Sequence, residues 1–138
     1  MPRKRPLEGL AVLVVEDNLD SRDLVIEVVQ YYGGLIVQAD GVASALAQLE
    51  RFLPNLVITD LFLNGGDGFD LLARIRAHAD PRVAGVPVIA VTGRLEAAEQ
   101  LLRAGFAGHL FKPISPDRLC TAIELFAAPR DRDLRAAS

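Results

Sequence analysis

Apolar positions follow two alternating rhythms along this chain. Leu10 to Val15 is an unbroken apolar run, the pattern of a strand buried on both faces. Glu16, Asp17 and Asn18 close it, and Asn18 can cap a helix. Leu24, Val25, Val28, Val29 and Tyr32 follow at helical spacing until Gly33-Gly34. Leu35 to Ala39 reads as a second strand. Val42, Ala45, Leu46, Leu49 and Leu53 mark a second helix, stopped by Pro54. Leu56 to Thr59 lead straight into Asp60 as a third strand, and a loop with Gly65, Gly66 and Gly68 follows. Phe69, Leu72 and Ile75 predict a third helix that ends before Pro81. Pro87 to Val91 is a fourth strand closed by Thr92, and Leu95, Ala98, Leu101 and Leu102 give a fourth helix stopped at Gly105. Gly108 to Phe111 is a short fifth strand closed by Lys112-Pro113. Ser115 has the character of an N-cap, with Pro116 in the first helical position and Asp117 in the first turn. Leu119, Ala122, Ile123 and Phe126 complete the last helix.

The order is strand then helix, five times over. This alternation implies an α/β domain, a parallel sheet with helices on both faces. Residues 1–9 read as an extended N-terminal extension, 10–128 as one domain and 129–138 as a polar tail. With 138 residues, 51% of them hydrophobic, the chain can fill one core. The net charge of −3 gives no reason to expect nucleic acid as a partner, and Arg3-Lys4-Arg5 reads as a solvated terminus. The single cysteine, Cys120, cannot form an internal disulfide, and the two histidines are too far apart to suggest zinc. No stretch resembles a signal-peptide core, and no apolar run approaches the roughly 20 residues that span a bilayer. The expectation is a cytoplasmic protein without a membrane partner.

The strand ends carry the chemistry. In an open α/β sheet, ligands bind beyond the carboxyl ends of the strands. Those ends hold Glu16-Asp17, Asp60, Thr92 and Lys112, all expected to face one crevice. Three crowded carboxylates repel one another and need a cation. Hard oxygen ligands suit Mg²⁺, which keeps waters and uses one or two carboxylates together with a phosphate. Lysine and a hydroxyl beside such a metal make a site for a phosphoryl group. Lys112 neutralises charge, Thr92 donates to a phosphoryl oxygen, and Asp60 is the candidate nucleophile.

This constellation resembles the receiver domain of two-component response regulators. The resemblance rests on V-V-E-D-N at 14–18, I-T-D-L at 58–61, G-G-D-G at 65–68, V-I-A-V-T-G at 88–93 and A-G-F-A-G-H-L-F-K-P-I at 104–114. It implies a flavodoxin-like, CheY-like (βα)5 fold, a doubly wound parallel sheet in the order 2-1-3-4-5. It further implies that Asp60 is the phosphoacceptor, using Mg²⁺. The metal shell would comprise Asp17, Asp60, the backbone carbonyl of Phe62 and, largely through water, Glu16. The donor would be a histidine kinase or histidine phosphotransfer protein, and the chain would be a signalling protein, not an enzyme, that catalyses only its own phosphorylation and dephosphorylation. A phosphorylation-dependent dimer is one output the family allows.

The same resemblance implies a switch in which Thr92 moves inward and a strand-five side chain, often Tyr or Phe, follows. Here His109 holds that place, with Phe111 on the same face of the strand. Titration of His109 would make such a switch sensitive to pH. Phe62 and Arg94 stand where family members tune attack of water on the phosphoaspartate. Asn64 replaces a frequent Pro and Gly66 a common Met, which predicts a more mobile loop. The fourth helix is about two residues shorter than usual.

Other phosphate sites are excluded by pattern. No G-x-x-x-x-G-K-[ST] is present, no G-x-G-x-x-G follows the first strand, and Asp60 does not begin D-x-D-x-T. Two alternatives to a free-standing phosphoacceptor are a constitutive pseudo-receiver adaptor and a receiver fragment of a hybrid histidine kinase. Met1 and the charged tail favour the free-standing form, whose downstream partner would be another protein.

Overall fold

The computed structural model describes residues 5–63, 65–93 and 98–128. Strands β1 (Ala11–Val15), β2 (Leu35–Ala39), β3 (Leu56–Asp60), β6 (Val88–Thr92) and β7 (Gly108–Phe111) form a parallel sheet in the order β2-β1-β3-β6-β7. This is the expected 2-1-3-4-5 order once the hairpin of β4 (Phe62–Leu63) and β5 (Gly66–Asp67) is set aside. Helices α1 (Leu19–Tyr31), α2 (Val42–Phe52), α3 (Gly68–Arg76), α4 (Pro81–Ala84), α5 (Ala98–Ala104) and α6 (Pro116–Phe126) complete the described architecture.

Alternation along the buried strands sorts their side chains into two cores. Leu13, Val15, Val57, Val88 and Ala90 pack under α2, α3 and α5. Val12, Val14, Leu56, Ile58, Ile89 and Val91 pack under α1 and α6. Every residue of β1, β3 and β6 is buried, which is why those segments carry no polar alternation. Strand β2 lies at the sheet edge, and Leu35 is exposed there.

The helix boundaries follow local chemistry. The Asn18 side chain accepts from Ser21 N, and Ser115 accepts from Arg118 N ahead of Pro116, as the sequence predicts. Helix α3 ends at Arg76, before Pro81 as expected, and a further short helix follows that the sequence pattern did not reveal. Asp80 accepts from Arg82 N, and Pro81 starts the short helix α4, where its missing N–H costs nothing. Residues 6–9 are not extended. They form a turn in which Leu7 is fully buried in the α1/α6 core, and Leu7 N donates to Tyr32 O. A single leucine among polar residues gave no periodic signal for that burial. Cys120 is buried in α6, with Sγ 3.8 Å from Glu124 Oε1.

Candidate functional site

The register of the sheet levels the site. Val15 pairs with Thr59 and Asp60 with Val91, so Glu16 follows β1 at the height of Asp60. Thr92 pairs with Phe111, and Lys112 N donates to Thr92 O one step later. The two-residue side-chain period then decides who meets whom. It assigns Asp60 to the α1/α6 side, where Glu16 and Lys112 follow their strands, and Thr92 and His109 to the other.

The contacts agree. Lys112 Nζ donates to Asp60 Oδ2 at 2.6 Å and to Glu16 Oε1 at 3.3 Å. Asp60 Oδ1 accepts from Phe62 N at 3.2 Å. Glu16 and Asp60 are buried above an apolar wall that includes Val14, Val25, Ile58 and Ile114. Burial, and next the Asp60 carboxylate beside it, push the Glu16 carboxyl up to about 7, against the opposing pull of Lys112. The Lys112 ammonium is raised by its bonds to Asp60 and Glu16, although burial, the largest single influence on it, acts the other way.

Asp17, next to Glu16 in the chain, is half-buried. Among the described residues, no group of three or more His, Cys, Asp or Glu side chains is drawn together as a metal cage. The crevice brings Glu16, Asp60 and Lys112 into direct contact. Thr92 is buried at the end of β6. Phe62 is largely exposed at the rim. His109 is half-buried on β7, its ring 4.9 Å from that of Phe111, and its buried Nδ1 has no hydrogen-bond partner among the described residues. It pairs with Ala90, two steps below the Thr92–Phe111 pair and on the same face of the strand as Phe111. Arg94 and Asn64 lie outside the described residues.

The donor set fits a hard divalent cation. Glu16 Oε2 is buried and without a partner among the described residues, so one carboxylate oxygen is held in reserve. The other oxygens belong to carboxylates, the ligands Mg²⁺ prefers while it retains waters.

Two neighbours escaped the sequence reading. Arg22 Nη1 lies 3.4 Å from the Glu16 carbonyl, from one turn into α1. A Cβ on Gly68 would come within 2.8 Å of the Asp60 carbonyl oxygen, so this glycine lets α3 begin against the acceptor's own peptide. Its place in a glycine-rich loop was the available signal, though not which glycine mattered. Gly65, with φ of 76°, supplies the left-handed turn of the β4–β5 hairpin.

A doubly wound α/β domain with two buried carboxylates and a lysine at its strand ends defines the class. Residues 12–124 match the model of the response regulator receiver domain, and the chain belongs to that family. It is 34% identical over 122 residues to an uncharacterised 14.6 kDa protein of Leptolyngbya boryana, covering 87% of this chain and 92% of that one. It is 32% identical over 115 residues to the phosphate regulon transcriptional regulatory protein PhoB of Klebsiella pneumoniae, covering 82% of this chain and 49% of PhoB. The chain therefore spans about half the length of that regulator. The crystal structure of the receiver domain of NtrX from Brucella abortus superposes with a TM-score of 0.75 at 33% identity, covering 83% of this chain and 95% of that one.

Proposed function

We propose that Asp60 accepts a phosphoryl group from a phosphohistidine donor. The observation that carries this reading is the Lys112 ammonium, which bonds Asp60 at 2.6 Å while reaching Glu16. In transfer, the bond from the donor imidazole nitrogen to phosphorus breaks as the Asp60 oxygen–phosphorus bond forms, and the imidazole leaves. Lys112 can turn to a phosphoryl oxygen and offset its charge, and the Thr92 hydroxyl can donate to another. Phe62 N–H holds Asp60 Oδ1, and Oδ2, released as Lys112 turns to the phosphoryl group, is the attacking atom. Glu16, Asp17, Asp60 and the Phe62 carbonyl are the residues that would hold Mg²⁺. When bound, that ion supplies the positive charge that lets an anionic carboxylate meet an anionic phosphoryl group.

The signalling partners in this reading are a histidine kinase or phosphotransfer protein and a downstream protein. Hydrolysis of the phosphoaspartate resets the switch, with Phe62 and Arg94 tuning the approach of water. Thr92 and His109 carry the signal toward β7, either to a partner protein or to a second copy in a phosphorylation-dependent dimer. No helix among the described residues is long and apolar enough to cross a membrane. Because the donor chemistry uses Mg²⁺ and phosphohistidine, we assign the protein to the cytoplasm.

Exposure to labelled acetyl phosphate and Mg²⁺ tests the acceptor. Native protein is expected to take up acid-stable, base-labile label that Asp60→Asn abolishes. Equal labelling of the two proteins would overturn the assignment. Beryllofluoride with Mg²⁺ separates a phosphoacceptor from a constitutive adaptor, since only the former should change its amide spectrum around residues 92 and 112.

A further inference from the structure

Asn55, the residue before β3, is fully buried. Its Oδ1 accepts from Ala11 N at 2.8 Å, and its Nδ2 donates to Ala128 O at 2.8 Å. The main chain repeats the pattern. Asn55 N donates to Ala11 O at 2.8 Å, and Ala128 N donates to Asn55 O at 3.0 Å. One residue at the base of the acceptor strand is thus bonded to the start of β1 on one side and to the chain leaving α6 on the other. Ala127, the C-cap of α6, is extended (ψ 129°) and turns the chain off the helix toward this clasp.

A second contact pins the same end of the helix. The Phe126 ring lies over Gly108, where a Cβ would come within 2.6 Å of ring carbon. The opposite end of α6 is attached differently. It begins just after the Ser115 cap, three residues beyond Lys112. So α6 has a clasped base and an upper end joined to the loop that carries the site's ammonium. Between α6 and β7 runs a groove of ≈ 720 Å³ whose walls include His109, Phe111, Arg118, Leu125 and Phe126.

The identity of residue 55 matters. An amide presents an acceptor to Ala11 N–H and a donor to the Ala128 carbonyl. An aspartate would keep the first bond and set a buried negative oxygen against the second.

We propose that Asn55 is the fixed pivot of α6: its base stays clasped to β3 while movement of the Lys112 loop is taken up at the upper end, changing the width of the β7–α6 groove. This rests on the phosphoacceptor reading, since loading of Asp60 is what moves Lys112.

Amide hydrogen exchange followed by NMR tests it, on native protein and Asn55→Asp, each with and without beryllofluoride and Mg²⁺. Asn55→Ala, which buries no charge, is the second variant should Asn55→Asp fail to fold. Without beryllofluoride, the Ala128 amide should exchange roughly tenfold faster in the variant, because losing the side-chain bond to the Ala128 carbonyl loosens the clasp that its own N–H shares. The amides of Leu56 to Asp60 should keep their protection. On loading, native protein should change at Asp117 and Arg118 while Ala128 stays within about twofold, and in the variant the change should extend to Ala128. Equal Ala128 exchange in variant and native protein overturns the clasp. A native response at Ala128 as large as at Arg118 overturns the pivot and leaves the acceptor reading standing. No native response at either end overturns both.

Discussion

At the base of the sheet, Asn55 buries a whole amide and bonds both of its ends to the main chain. At the top, Glu16 is nearly as buried, yet one of its oxygens has no partner among the described residues and its carboxyl is pushed up to about 7. The two poles use burial for opposite ends. A neutral group with every bond matched costs little and fixes geometry. Two carboxylates sharing one ammonium are held short of satisfaction, which weakens the resting fold and favours arrival of a cation or a phosphoryl group.

That contrast can be broken from either pole. The largest stability effect is expected at the base. Asn55→Ala removes the side-chain partner of the buried Ala11 N–H and of the half-buried Ala128 carbonyl and should cost about 1–3 kcal/mol in urea unfolding. A loss below about 0.5 kcal/mol would mean the clasp holds nothing. Lys112→Met leaves two carboxylates without their cation. Because the Lys112 side chain is 35% exposed, solvent softens the penalty to about 1–2 kcal/mol in metal-free protein. Saturating Mg²⁺ should recover much of it.

A smaller effect of opposite sign separates the poles more sharply. The Glu16 carboxyl sits at about 7 in the fold, above its ordinary value of 4.5. The native state therefore binds the extra proton between these values, and its stability is present below pH 4.5 and is lost as pH rises through about 7. Glu16→Gln removes that titration. At pH 8 without Mg²⁺ it should be more stable than the native protein, by on the order of 1 kcal/mol, while binding Mg²⁺ less tightly. Thermal melts from pH 4 to 8 read the slope, and a variant that follows the native slope would place the titration elsewhere. The smallest effect is at His109. His109→Ala should shrink the beryllofluoride-induced spectral change along β7, whereas a response superimposable on the native one would end its role in the switch.

The elements most legible in the sequence were those buried on both faces. Unbroken apolar runs ending in an acid or a hydroxyl located β1, β3 and β6, and with them Glu16, Asp60 and Thr92. Caps were legible because their chemistry is local, as at Asn18 and Ser115. The division within the site was also written in the alternation. Counting by twos from Val14 and Ile58 puts Glu16 beside Asp60. Other features had no local signature. Asn55 acts through partners 44 and 73 residues away, and nothing around Pro54-Asn55-Leu56 announces them. Leu7 is buried by the far end of α1, and Pro81 resembles a stop signal until Asp80 makes it a start.

Gly68 binds two parts of the molecule into one evolutionary unit. With a methyl group there, α3 would have to retreat from the peptide that carries the reactive carboxylate, or that peptide would have to shift. Substitution at a residue that touches no ligand would then be felt as misalignment at Asp60. The glycine-rich turn and the acceptor can change only together, and a library that randomised this loop should return active members almost solely with its last glycine intact.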